Sequence, residues 1–225
     1  MPLYNPVLTK INKKEMLRYA GMKEENAQLD ASVSEALRET LIYSQPKGSY
    51  ILYDYIEPEI ILADGVYALH GKRVIEHLAG SVKVAVIAVT VGEDVEQRIE
   101  MLFDSGEYTK AILMDAAATA AVEQSADSLC AFIADRASKE GLFISKRFSP
   151  GYGDWELENQ KDVLELSGGK DIGMDITSAF MLRPRKSITA VIGLKPFEEK
   201  GVLANCGDCE KDECGYRRII NVKNV

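Results

Sequence analysis

The sequence predicts an α+β fold, a mixed and largely antiparallel sheet packed with helices, on three observations. Helical and strand-like periods follow one another along the 225 residues without the regular repeat of parallel βαβ units. An Asp64-Gly65 pair between two β-rich runs marks a hairpin. The run 82–91 (VKVAVIAVTV) is nearly all β-branched or alanine, the pattern of a strand buried on both faces and central in its sheet.

Each element has its own signal. Asn12 caps a short helix through Tyr19, which Gly21 stops. A longer helix over 24–43 places Leu29, Val33, Ala36, Leu37 and Leu41 at helical spacing. Residues 49–55 alternate aromatic and aliphatic side chains as a strand, Pro58 punctuates, and 59–69 form the hairpin. A short helix over 72–78 precedes the central strand. After Gly92, Glu93 and Asp94 open a helix with acids in its first turn, as the helix dipole prefers. The longest helix spans 108–139, centred on an alanine-rich run at 116–122 that lets a neighbour approach closely. A strand over 142–147, a turn-rich loop over 148–155 and a helix over 157–166 ended by Gly168-Gly169 follow. The last strands are expected around 172–176 and 187–194. With no repeat or linker visible, the expected organisation is one domain over 1–200 and a cysteine-bearing tail over 201–225.

Composition narrows the function. With 46% apolar and 28% charged residues, the chain can bury a substantial core. A net charge of -8 argues against binding nucleic acid or an anionic membrane surface. Residues 1–14 lack the apolar core of a secretion signal, and no apolar run approaches the ~18 residues a membrane span needs. Cys130, Cys206, Cys209 and Cys214 do not read as a disulfide framework, so a reducing, cytoplasmic location is expected. His70 and His77 are the two histidines, and neither sits in a ligand or triad pattern. No dinucleotide or phosphate-loop glycine signature is present.

One segment stands out, Arg147-Phe148-Ser149-Pro150-Gly151-Tyr152. An arginine at a strand end suits a carboxylate. Pro150 rigidifies the turn, Gly151 allows close approach of backbone to a ligand, and Tyr152 offers a flat ring with a polar tip. Together they suit a small zwitterion carrying an aromatic group. A plain strand-to-helix turn with a packed tyrosine fits the same residues.

The order of three segments is more specific. Upstream lies the alanine-rich MDAAATAAVEQSADSLCAFIADRA; then come the R-x-x-P-G-Y loop, Ile172-Gly173 and TSAFMLRPRKSITAVIG. In that order they resemble the reactivation domain of cobalamin-dependent methionine synthase, over roughly residues 115–193, with Thr177, Pro184, Ser187, Ile188 and Thr189 matching its later elements. The resemblance implies the activation-domain fold and a site for S-adenosylmethionine, with Arg147, Ser149, Pro150, Gly151 and Tyr152 in the binding loop and Glu123 as the helix carboxylate. It also implies a role in returning inactive cob(II)alamin to methylcobalamin, with one electron from a flavodoxin or ferredoxin and the methyl group from the sulfonium. Because the cobalamin, folate and homocysteine modules are missing, the cobalamin is expected on a separate methionine synthase or another corrinoid protein. Two departures are visible: Gly153-Asp154-Trp155 follows the tyrosine where the family continues with Pro-Ala or Pro-Cys, and Ile192-Gly193 replaces a Tyr-Phe pair.

The tail carries Cys206, Cys209 and Cys214 in a C-x-x-C-x-x-x-x-C pattern. This spacing fits a zinc or iron–sulfur site short of a fourth ligand, or a redox thiol pair. Two other functional classes therefore stand beside the first: a non-catalytic adaptor for corrinoid proteins, and an electron carrier using a metal or redox tail.

Overall fold

The structure, a computed structural model, describes residues 3–22 and 27–198. Along the chain run β1 (Leu3–Tyr4), α1 (Lys13–Tyr19), α2 (Asp30–Tyr43), β2 (Lys47–Ile56), β3 (Glu59–Leu62), β4 (Gly65–Ala68) and α3 (Lys72–Leu78). Then come β5 (Lys83–Thr90), α4 (Asp94–Asp104), α5 (Tyr108–Ser138), β6 (Phe143–Ile144), α6 (Gln160–Leu166), β7 (Asp175–Ile176), β8 (Leu182–Arg183) and β9 (Ser187–Lys195). Seven strands form one sheet in the order β4-β3-β2-β5-β9-β6, with β1 also pairing β2, while β7 and β8 make a small second sheet. Every strand pairing among the described residues is antiparallel. The fold is α+β, as the sequence predicts.

The central position of β5 follows from its composition. Ala85, Ile87 and Val89 turn to one face and pack with the buried side of α5, while Val84 and Val86 turn to the other, against Trp155 and α3. Successive small residues of α5, Ala116, Ala117, Ala118, Ala120 and Ala121, are all buried, which brings that helix close to the sheet. α1, α2 and α4 pack around α5; α3 and α6 cover the opposite face. The helices thus clamp β9 from both sides, and what happens along its free edge sets up the site.

Several boundaries differ from the sequence expectations. The helix expected over 24–43 begins at Asp30, after a turn at 27–29. Of the strand expected at 172–176 only Asp175–Ile176 pair; Ile172 ends a 3-10 turn, Gly169–Ile172, which Gly168 and Gly173 flank in the left-handed conformation. The strand expected over 142–147 pairs only at Phe143–Ile144.

Candidate functional site

The shortness of β6 is the first feature of the site. Phe143 and Ile144 pair with Lys195 and Leu194 of β9, and the chain rejoins that strand at Phe148, which exchanges backbone hydrogen bonds of 3.0 and 2.9 Å with Val191. Ser145, Lys146 and Arg147 therefore face only Gly193 and Ile192, a β-bulge with one extra residue, a device that re-aims side chains. Ser145 holds it together. Its N–H donates to the Gly193 carbonyl at 2.8 Å, and its Oγ accepts from the Gly193 N–H at 2.9 Å. The His77 ring nitrogen Nε2 lies 2.8 Å from the Lys146 carbonyl and 3.1 Å from Ser145 Oγ. A Cβ at position 193 would collide with Ser81 Oγ and crowd Leu78, so a side chain there requires Ser81 to move.

Past the bulge, the Arg147 guanidinium reaches α5. Its Nη2 donates to Glu123 Oε2 at 3.0 Å and to Asp127 Oδ1 at 2.7 Å, carboxylates one helical turn apart. Burial works against the charge of Arg147, but Glu123 and Asp127 outweigh it and raise its pKa. The other terminal nitrogen, Nη1, is buried and has no hydrogen-bond partner. Cys130, two turns along the helix from Glu123, is a half-buried free thiol; burial pushes its pKa up to about 11 although Arg147 pulls the other way.

The loop after Arg147 is anchored by Asp154 and Trp155, two of the residues at which the sequence departs from the motif it resembles. Asp154 accepts hydrogen bonds from the N–H groups of Lys72 and Arg73, at 2.7 and 2.9 Å, and so caps the first turn of α3. Those amides, Arg73's foremost, hold its carboxyl below the ordinary range. Trp155 is 1% exposed in the core beneath. The Gly151 N–H donates to the Trp155 carbonyl at 2.7 Å, a closure that needs φ of +88° at Gly151. Phe148 lies 6.0 Å from the Tyr152 ring and 6.1 Å from that of Trp155, with the His77 ring tilted against it at 5.1 Å. Ser149 Oγ donates to the Thr189 carbonyl at 2.7 Å, tying the loop to β9.

Beside Ser187–Thr189, where another strand would continue the sheet, a cleft of about 320 Å³ opens. It lies in the size range of small-molecule sites. Five of the six residues singled out in the sequence line it: Glu123, Arg147, Ser149, Pro150 and Tyr152, the last 58% exposed. Gly151 is not in its wall; it shapes the turn behind Pro150. Thr189, flagged only through the resemblance, is 2% exposed and its hydroxyl has no partner. Sequence reasoning did not single out Leu157, Gln160, Phe180, Met181, Leu182 and Arg185, which complete the lining. Leu157 carries no signal beyond an apolar helix position, but Phe180, Met181 and Leu182 lie within the segment of resemblance. A larger groove, about 500 Å³, lies at Tyr19, Phe103 and Ile112. Its carboxylate, Asp115, is already paired with Lys186 at 2.8 Å. Two of the buried polar atoms without partners, Arg147 Nη1 and Thr189 Oγ1, belong to residues lining the first cleft, and none belongs to a residue lining the larger groove.

Among the described residues no group of three or more His, Cys, Asp or Glu is arranged to hold a metal, and no helix is long and apolar enough to cross a membrane. Cys206, Cys209 and Cys214, the expected metal or redox residues, lie outside the described residues.

No protein-family profile matches the sequence, and no curated protein matches it. Among solved structures, the MetH reactivation domain bound to AdoHcy superposes with a TM-score of 0.56 at 12% sequence identity. The match covers 89% of this chain and 81% of that one. At such identity the likeness establishes the fold: the chain has the architecture of the MetH reactivation domain.

Proposed function

We propose that the chain binds S-adenosylmethionine in the cleft beside Ser187–Thr189 and presents its methyl group to cobalamin carried by a separate protein. The observation that carries this reading is that two of the eight buried side-chain polar atoms without partners among the described residues, Arg147 Nη1 and Thr189 Oγ1, belong to residues lining this one cleft. A buried donor left unsatisfied costs free energy, and a carboxylate entering the cleft removes that cost. The remaining lining suits the rest of the ligand: Glu123 for a cationic sulfonium or ammonium group, and Tyr152, Leu157 and Phe180 for a flat ring. The fold shared with a domain that binds AdoHcy, which is S-adenosylmethionine without its methyl group, supports the same choice.

The ligand supplies the chemistry. After a flavodoxin or ferredoxin delivers one electron, cobalt takes the methyl carbon while the sulfur keeps the bond pair and leaves as neutral AdoHcy. The chain itself has no proton to move. Arg147 grips the carboxylate, Glu123 sets the position of the cation, and the Pro150–Tyr152 turn holds the ligand in line and away from water. The client is a methionine synthase or another corrinoid protein.

Calorimetric titration of S-adenosylmethionine into the full chain and Thr189→Val tests the reading. The expected result is saturable binding that the variant weakens about tenfold, the worth of one hydrogen bond to a charged group. Absence of binding by the unaltered chain would overturn the reading and leave the adaptor and the electron carrier.

A further inference from the structure

The lining of the cleft contains the one non-glycine residue with positive φ among the described residues, Phe180, at +59°. A bulky L-residue is strained in this conformation and glycine is not. The strain is held in place from both sides. The Thr177 N–H donates to the Met181 carbonyl at 2.9 Å, the Phe180 N–H to the Thr177 carbonyl at 3.0 Å, and the Met181 N–H to Thr177 Oγ1 at 3.1 Å. After β8, the Arg185 N–H donates to Glu96 at 3.0 Å, its guanidinium bonds Glu96 and Glu100, and Lys186 pairs with Asp115. The ring is half-buried, yet among the described residues Phe180 belongs to none of the apolar core clusters and to no aromatic pair. What it does is line the cleft, beside Met181 and Leu182.

We infer that Phe180 is the specificity-determining contact for the ligand's purine base. Of the three charged residues lining the cleft, Glu123 and Arg147 pair on the α5 side and account for the ligand's ionic half, while the Arg185 guanidinium is taken up by Glu96 and Glu100. The wall formed by Phe180, Met181 and Leu182 is apolar and suits an uncharged planar heterocycle, whose face an aromatic ring holds by stacking. A strained residue persists where function selects it against the local preference of the chain. This inference rests on the adenosylmethionine reading and names which side chain recognises the base.

The test is calorimetry of the full chain, Phe180→Gly and Phe180→Leu, each titrated with S-adenosylmethionine and with adenosine, together with thermal unfolding. Phe180→Gly releases the strain and removes the ring; Phe180→Leu removes the ring alone. Expected is a loss of about tenfold or more in affinity for both ligands in both variants, the effect of deleting one base–aromatic stack. The unfolding midpoint of Phe180→Gly is expected at or above that of the unaltered chain. Equal affinities across the three proteins, an unaltered chain that binds S-adenosylmethionine but not adenosine, or a loss confined to S-adenosylmethionine would each overturn the inference. A chain that binds neither ligand removes the functional reading beneath it.

Discussion

The guanidinium of Arg147 and the carboxylate of Glu123, twenty-four positions apart in sequence, meet at 3.0 Å in the wall of the cleft. Neither is freely exposed, with side chains 20% and 32% accessible, so the pair is a fixed feature of the wall. It also divides the site electrically. On the proposed reading, Arg147 offers its unpartnered buried Nη1 to an anion, and Glu123 offers its charge to a cation.

That division predicts ligand discrimination. S-Adenosylmethionine carries a positive sulfur and AdoHcy a neutral one, so Glu123→Gln should weaken the first more than the second. The preference for the sulfonium is expected to fall by about fivefold, the value of roughly 1 kcal/mol of screened attraction. Competition titrations with both ligands measure it; an unchanged ratio would show that Glu123 does not sense the sulfur.

Anchorage of the loop gives a second prediction. Trp155→Ala removes a buried indole from beneath the loop and should destabilise the fold by about 3–5 kcal/mol, measured by denaturant unfolding. Asp154→Asn acts through charge. The folded carboxyl lies below its ordinary pKa, so its contribution is present at pH 7 and disappears as the pH falls through and below the usual carboxylate range. Unfolding midpoints of the unaltered chain and Asp154→Asn should therefore differ at neutral pH and converge in acid. Divergence toward acid would contradict the cap.

The bulge offers a third. Ser145→Ala leaves the buried Gly193 N–H without its acceptor, an expected loss of about 1–3 kcal/mol in stability. Because the same bulge aims Arg147 at α5, affinity for S-adenosylmethionine should fall as well. Loss of stability with full retention of affinity would show that Arg147 is placed by Glu123 and Asp127 alone.

Cys130 provides a fourth, with the thiol as reporter. With its pKa near 11, the thiol should react slowly with an alkylating agent at pH 8 in a chain whose Cys206, Cys209 and Cys214 are replaced by serine. Arg147→Ala removes the cation that lowers this pKa, so labelling should slow further at unchanged exposure. Faster labelling of that variant in the folded state would mean that the helix face has opened.

Much of the fold was legible because it rests on local pattern. The 82–91 run, the Asp64-Gly65 hairpin and the alanine-rich helix each carry their own periodicity, and each occurs where expected. The strand at 142–147 was misread because its alternation is interrupted by a bulge that only the partner strand imposes. The loop residues Arg147, Ser149, Pro150 and Tyr152 stood out by residue type, and they line one cleft. Asp154 and Trp155 looked like defects in the pattern, since their partners, the α3 amides and the core beneath the loop, are distant in sequence. Phe180 was hidden for a related reason: strain is a property of φ, and no composition reports it.

The central claim is that Arg147 grips the carboxylate of S-adenosylmethionine. Calorimetric titration of that ligand into the unaltered chain and Arg147→Ala, both checked for an intact fold by circular dichroism, tests it most directly. The account predicts saturable one-to-one binding by the unaltered chain and a loss of about tenfold to a hundredfold in the variant, as removal of a charged hydrogen bond requires. Equal affinity in the two proteins would contradict it.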